Sequence, residues 1–184
     1  DCTQDTVTAR SCMVVMWVKN NGFQLRNLTV ANSYFQSRAS PGSAHQAVAF
    51  KSEGADRIHL ERVHLLGYQD TLYLKTPRPN STVRTFVHRS LVAGDVDFIY
   101  GPATAYFLSS EIRWVGARRG LSGGYIGAPS TNLRVPYGFV FEDCDFTSDG
   151  AGSAVAGKVN FARQWFTGAS CSPYGDHAAA CTID

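Results

Sequence analysis

The feature of this sequence that most limits its fold is a spacing of apolar and small residues that recurs five times. Each copy places four such residues at steps of two, three and two, and successive copies begin 35, 27, 20 and 34 residues apart. A step of two keeps side chains on one face of a strand, so the step of three indicates a bend where one extra residue redirects the chain. The copies are Phe23, Leu25, Leu28 and Val30; Ile58, Leu60, Val63 and Leu65; Thr85, Val87, Ser90 and Val92; Ala105, Phe107, Ser110 and Ile112; and Phe139, Phe141, Cys144 and Phe146.

An irregular repeat of short, bent strands predicts an all-β solenoid, a parallel β-helix in which like positions stack into internal ladders. No segment shows the apolar period of an amphipathic helix. An ordinary β-sandwich is the alternative, since its strands also alternate. Hairpin signals are scarce, however, and the Asn21-Gly22 pair precedes the first copy, where it suits a turn between coils.

Composition narrows the function classes. The chain has 184 residues, enough for one domain with a large core, and a formal net charge of +2, which gives no case for nucleic-acid binding. No apolar run is long enough to predict a membrane-spanning segment. Five cysteines favour an oxidising compartment, with five reduced thiols in a cytosolic protein as the alternative.

The cysteines differ in their predicted environments. Cys144 occupies the third position of a copy, so we expect it to point into the coil interior as a small, unpaired, buried hydrophobe. Disulfides require close, mutually directed side chains, and no other copy places a cysteine above or below it. If the compartment is oxidising, the other four are expected to pair locally, Cys2 with Cys12 and Cys171 with Cys181.

Two aspartates lie in similar apolar settings. Asp70 belongs to GYQDTLY and Asp97 to GDVDFIYG, and each follows the last member of a copy by five residues. If the copies are stacked coils, the two carboxylates become neighbours, because adjacent strands are ~4.8 Å apart. Two close carboxylates cannot both ionise cheaply, so one is expected to serve as an acid and the other as a nucleophile or base.

Three further polar residues could complete such a site. Arg163 lies in the aromatic run NFARQWF and could hold one aspartate ionised, although an arginine facing water from an edge strand is the alternative. The amides of Gln46 and Gln69 could stabilise an oxyanion, or could simply be polar residues at strand starts. The five histidines have no evident triad context, and the sequence has no H-E-x-x-H and no phosphate-binding glycine loop, which argues against serine hydrolases, zinc proteases and nucleotide enzymes.

Four segments together resemble a known family. QAVAF from Gln46, GYQDTLY from Gly67, GDVDFIYG from Gly94 and GYIGAPST from Gly124 resemble, in the family's order, signature segments of pectin methylesterases (pectinesterases). The resemblance extends from about Gly22 to Trp165. It implies that residues 1–184 form the central part of one right-handed, single-stranded parallel β-helix domain, incomplete at both ends.

The resemblance also implies an activity. The family hydrolyses methyl esters of galacturonan and releases methanol without a metal or cofactor, so the expected partner is methyl-esterified polygalacturonate. The expected protein is a monomer in an extracellular or periplasmic location.

Site roles follow from the same resemblance. Asp97 matches the nucleophile, Asp70 the general acid/base, Gln46 and Gln69 the oxyanion-supporting amides, and Arg163 the arginine that pairs with the nucleophile. The residues matched to the substrate cleft are Tyr73, Val96, Tyr100 and Trp165.

Departures from the family pattern keep rival functions open. The family's G-R-P-W is A-R-Q-W here, from Ala162 to Trp165, and D-F-I-F-G is D-F-I-Y-G.

A pectate lyase would need acidic calcium-binding clusters and a polygalacturonase more paired aspartates, and neither pattern is evident. An esterase of the same core acting on another ester remains an alternative, as does a non-catalytic glycan-binding β-helix.

Overall fold

The regular elements are β-strands in three parallel sheets. This computed structural model describes residues 13–34, 46–116, 123–150 and 157–165, and the bounds below refer to these residues. The six-stranded sheet contains, in spatial order, β1 (Val14–Val18), β4 (Val48–Glu53), β7 (Leu72–Lys75), β10 (Val96–Gly101), β13 (Gly124–Pro129) and β16 (Val159–Ala162).

The other two sheets have five strands each. One contains β2 (Gln24–Arg26), β5 (Ile58–Glu61), β8 (Arg84–His88), β11 (Thr104–Leu108) and β14 (Phe139–Glu142). The other contains β3 (Thr29–Ala31), β6 (His64–Leu66), β9 (Leu91–Gly94), β12 (Glu111–Trp114) and β15 (Asp145–Ser148).

The chain visits the three sheets in turn, and each strand pairs in parallel with the strand three places further along, as β4 does with β7 and β7 with β10. The parallel β-helix predicted from the repeat is therefore confirmed. Because the sheets pair in parallel throughout, the β-sandwich alternative is wrong. Across the described ranges, no helix is both long and apolar enough to cross a membrane.

One left-handed residue in each coil explains the step of three. Immediately before the third position of every copy, the backbone has a φ of 48° to 53°. Such a conformation turns the chain between the second and third sheets. The N–H of the turning residue in the first four copies bonds a carbonyl of the next coil at 3.0 to 3.1 Å, which stacks the bends. The turning residues are Asn27, Arg62, Arg89, Ser109 and Asp143.

The third position forms an internal ladder that mixes apolar and hydroxyl side chains. Ser90 and Ser110 are buried, and their hydroxyls accept the backbone N–H groups of Val63 and Ser90 at 3.0 and 3.1 Å. The same hydroxyls donate to the backbone two residues upstream, at His88 and Leu108. The two serines are therefore tolerated at this position because each hydroxyl both donates and accepts a hydrogen bond.

Cys144 lies in this ladder and is unpaired, with its side chain packed against the core. Its thiol approaches the carbonyl of Glu142 at 3.3 Å, which repeats the serine pattern. It is only half-buried, because β14 and β15 are edge strands. Both predicted disulfides, Cys2–Cys12 and Cys171–Cys181, lie outside the described residues.

The first coil departs from the ladder. Leu28 is 45% exposed, whereas the equivalent Val63 is fully buried, so the expectation that Leu28 lies inside is wrong. It lies between β2 and β3, which are edge strands of the described sheets. Among the described residues, Val63 has a coil stacked on both sides, whereas Leu28 has one on a single side.

Gly101 is a glycine that the fold does not allow to be replaced by a residue with a side chain without strain. Its φ is 122°, and a Cβ there would lie 2.1 Å from the Leu74 carbonyl oxygen. We expect Gly101→Ala to lower the free energy of unfolding by about 3 kcal/mol or more, since strain and overlap combine. Gly22→Ala is the control, because Gly22 also has a positive φ but has nothing within 4 Å of the added atom. It should cost about 1 kcal/mol. Equal losses in urea denaturation would contradict the steric explanation.

Candidate active site

The two aspartates lie side by side on neighbouring coils. Asp70 precedes β7 and Asp97 lies in β10, and these strands pair with Leu72 opposite Ile99, which brings positions 70 and 97 level. The Asp70 N–H donates to the Val96 carbonyl at 3.1 Å, which extends the pairing to the aspartates. Each aspartate is only 8% exposed. The equal five-residue offsets in the sequence correspond to this alignment.

Both aspartates occupy unusual backbone conformations. Asp70 has a φ of 69° and Asp97 a φ of 50°, in the left-handed region that costs a non-glycine residue roughly 1–2 kcal/mol. The pairing of β10 with β13 shifts by one residue between Val96 and Ile99, so Asp97 lies in a β-bulge. A bulge re-aims a side chain, and strained residues concentrate at functional sites.

Arg163 binds Asp97 in a two-pronged ion pair. Its Nε donates to Asp97 Oδ1 at 2.8 Å, and a second guanidinium nitrogen donates to Oδ2. The guanidinium carbon also lies 4.7 Å from the centroid of the Tyr125 ring, and the backbone N–H of Arg163 donates to the Gly127 carbonyl. The arginine is thus held by β13 while it orients the carboxylate of β10. The alternative of an arginine facing only water is excluded.

In the described part of the chain, the Asp70 carboxyl forms no ion pair like the one between Asp97 and Arg163. Burial is the main reason that the pKa of Asp70 rises from 3.8 to about 7, and the nearby charge of Asp97 raises it further. A hydrogen bond with the Tyr100 side chain and the charge of Arg163 oppose this shift without cancelling it. A carboxylic acid with a pKa near neutrality can both donate and accept a proton, which suits general acid/base catalysis.

An aromatic cluster adjoins the carboxylates. Tyr73 and Tyr100 stack with centroids 4.3 Å apart and planes 6° from parallel. The Trp165 ring meets both edge-on, with centroids 6.3 and 5.6 Å away, and the Trp165 backbone N–H donates to the Pro129 carbonyl. Aromatic side chains arranged in this way can pack against the apolar faces of sugar rings.

The remaining predicted site residues lie at the same end of these strands. Gln46 precedes Ala47, whose N–H donates to the Gln69 carbonyl at 3.1 Å, so the two glutamines are on neighbouring coils. Gln69 is bonded directly to Asp70 in the chain, and Val96 directly to Asp97. Gln46, Gln69 and Val96 are half-buried.

Two residues at the site were missed from the sequence. Tyr125 stacks on Arg163, although it lies in the segment GYIGAPST that carried part of the resemblance. Asp95 is fully buried, and its charge raises the pKa of Asp70. Asp95 was visible in the sequence as a second aspartate of GDVDF, beside Asp97. Its burial follows from packing between coils, where the Trp114 indole N–H donates to the Asp95 backbone carbonyl at 3.1 Å.

In the part of the chain that the structure describes, no three His, Cys, Asp or Glu side chains are grouped to hold a metal ion. The ionisable side chains that interact at this site are Asp70, Asp97, Asp95 and Arg163.

Comparison with known proteins identifies the family. The family model described as Pectinesterase matches residues 1–167. The chain belongs to the pectinesterase family. Among curated relatives, it is 39% identical to pectinesterase B of Dickeya dadantii over 170 residues, which cover 89% of this chain and 38% of the relative. It is also 34% identical to a putative acyl-CoA thioester hydrolase, YbhC, of Escherichia coli, over 80% of this chain and 35% of the relative.

Solved structures agree with the pectinesterase fold. The rice weevil pectin methylesterase superposes with a TM-score of 0.78 at 29% identity, covering 91% of this chain and 43% of that one. A pectin methylesterase in complex with a hexasaccharide superposes with a TM-score of 0.75 at 27% identity, covering 88% of this chain and 49% of that one. The chain therefore spans less than half the length of these relatives.

Proposed function

We propose that this protein hydrolyses methyl esters of galacturonan and releases methanol. The observation that carries the proposal is a buried carboxylic acid, Asp70, with a pKa of about 7, beside a carboxylate, Asp97, bound by Arg163. The two carboxyl groups thereby acquire the different roles that a two-step ester hydrolysis requires. Family membership and the hexasaccharide complex of a structural neighbour support a pectin substrate.

Each residue has a role in the proposed reaction. Asp97 attacks the ester carbonyl carbon, and the side-chain amides of Gln46 and Gln69 stabilise the oxyanion that forms. The intermediate collapses with loss of methoxide, which takes a proton from Asp70 and leaves as methanol, so that an acyl-enzyme anhydride remains on Asp97. Asp70, now ionised, removes a proton from water, which attacks the anhydride and regenerates Asp97 and the free galacturonate acid.

The aromatic cluster has a proposed binding role. Tyr73, Tyr100 and Trp165 would contact the sugar rings beside the reacting unit, and Val96 would contact the methyl ester. Polymeric pectin is a cell-wall material, so the proposal includes an extracellular or periplasmic location.

The test is release of methanol from highly methyl-esterified pectin by the full-length protein. We expect methanol in a one-to-one ratio with new carboxyl groups and no shortening of the polymer. Shortening without methanol would instead indicate a lyase or a polygalacturonase. The likeness to YbhC makes a thioester the second substrate to assay, and hydrolysis of acyl-CoA without methanol release from pectin would contradict the proposal.

A further inference from the structure

The Tyr100 hydroxyl contacts the Asp70 carboxyl directly, through a hydrogen bond between the two side chains. Both residues are only 8% exposed, so water competes little for this bond. The hydroxyl is also a departure of this chain, because the segment reads D-F-I-Y-G where the family segment has D-F-I-F-G. Tyr100 therefore adds a polar contact to the aspartate pair that a phenylalanine at the same position does not make.

The ring that carries this hydroxyl is fixed by its neighbours. Tyr100 pairs in register with Tyr73, and the two rings stack almost parallel with their centroids 4.3 Å apart. The Trp165 ring packs against Tyr100 edge-on at 5.6 Å. Because the ring is already ordered by these contacts, the hydrogen bond to Asp70 requires little further loss of side-chain freedom.

The backbone around Asp70 is fixed independently of its carboxyl group. The Asp70 N–H donates to the Val96 carbonyl at 3.1 Å, and the hydroxyl of Thr71 donates to the Ala93 carbonyl at 2.9 Å. These bonds hold the main chain and leave the direction of the carboxyl open. The hydrogen bond from Tyr100 restricts that direction.

Charged groups on the neighbouring strands also act on Asp70 or lie beside its strand, and Tyr100→Phe leaves all of them in place. Glu53 bonds both lysines of this set, so the charges on that side of Asp70 are already paired. A change in the titration of Asp70 in the variant would therefore report the loss of the hydroxyl. The groups are Asp97, Asp95 and Arg163 on the β10 side, Lys51 and Glu53 in β4, and Lys75 in β7.

We propose that Tyr100 is a positioning residue for the proposed catalytic acid: its hydroxyl orients the Asp70 carboxyl and stabilises the carboxylate that remains when the proton passes to methanol. This inference rests on the proposed function. A hydrogen bond donated to an ionised carboxylate is stronger than one donated to a neutral carboxyl. The hydroxyl therefore lowers the pKa of Asp70, against the effect of burial, and the balance leaves that pKa at about 7. Near this value Asp70 can act as an acid in the first step and as a base in the second.

The experiment compares the pH dependence of kcat/KM for methanol release by the full-length wild type and by full-length Tyr100→Phe. Phenylalanine keeps the ring and its stacking, so KM should stay within about twofold of the wild type. The pH at which kcat/KM falls on the alkaline side should rise by about one unit, because a hydrogen bond to a charged group shifts an ionisation equilibrium about tenfold. A residue that only packs in the cluster would leave this pH unchanged.

A second measurement does not depend on activity. Asp70→Asn is made in the wild type and in Tyr100→Phe, and the difference in free energy of unfolding from each parent is followed against pH. The pH at which this difference stops rising should be about one unit higher in the Tyr100→Phe background.

Tyr106→Phe is the matched control. The Tyr106 hydroxyl also bonds a carboxylate, that of Glu142, but Tyr106 lies in β11 of a different sheet. Its loss should leave both pH values at those of the wild type. The same pH values in Tyr100→Phe and the wild type, in either measurement, would overturn the inference even if the wild type releases methanol. If no methanol is released, the proposed function fails, and a shift in the unfolding series would still support the effect of the hydroxyl on Asp70.

Discussion

Asp97→Asn is expected to reduce methanol release from methyl-esterified pectin by at least ~10⁴-fold, because an amide cannot act as the nucleophile. The variant should keep its fold. Asparagine tolerates the left-handed backbone at this position, where φ is 50°. It loses one charged partner of Arg163, so a modest loss of stability is expected alongside the loss of activity. The measurement is the initial rate of methanol production by protein whose circular dichroism matches the wild type.

Asp143→Asn provides a matched control. Asp143 also has a left-handed backbone, with a φ of 49°, but it is exposed and lies between the edge strands β14 and β15. The substitution there changes one charge and nothing near Asp70, so the rate should stay within about twofold of the wild type. A folded Asp97→Asn protein with near-wild-type activity would remove Asp97 from the nucleophile's role.

The fold was predictable because one local device repeats. The step of three marks a single left-handed residue, which lies immediately before Val63, Ser90, Ser110 and Cys144. Backbone hydrogen bonds stack these left-handed turns from coil to coil, so that a local spacing produces a solenoid. The spacing alone does not reveal which coils have neighbours on both sides. Leu28 and Cys144 have the pattern of inward positions, yet the first is exposed and the second half-buried, because their strands are at sheet edges.

The site was predictable in part for the same reason. Equal offsets from stacked copies bring Asp70 level with Asp97, so their proximity is visible in the sequence. The bond from Arg163 to Asp97 spans 66 residues and no spacing predicts it. The run NFARQWF made Arg163 a candidate partner for an aspartate, and only the family resemblance indicated that the partner is Asp97. The contact of Tyr125 with Arg163 depends on register between strands that are distant in sequence, which a single chain does not display.

The second large effect concerns the pH dependence of stability and is measured with Asp70→Asn. The pKa of Asp70 is 3.8 in an unfolded chain and about 7 in the folded protein. Well below pH 3.8 the carboxyl is protonated in both states, so its titration makes no difference to the free energy of unfolding. As the pH rises towards 7, the unfolded chain releases the proton while the folded protein retains it, so the wild type loses stability. A shift of about three pKa units corresponds to roughly 4 kcal/mol at pH 8.

Asp70→Asn removes this titration, so its free energy of unfolding should rise relative to that of the wild type between pH 4 and pH 7 and then level off. Urea denaturation at one-unit pH intervals gives the difference, and Asp143→Asn, which changes an exposed aspartate, should give a nearly constant one. Burial is the largest cause of the shift and the charge of Asp97 the second, so the same series in an Asp97→Asn background should show a smaller rise that ends at a lower pH. A difference between wild type and Asp70→Asn that stays constant from pH 4 to pH 8 would mean that Asp70 titrates as an ordinary surface carboxylate. It would then lack the raised pKa that its role as the proton donor to methanol requires.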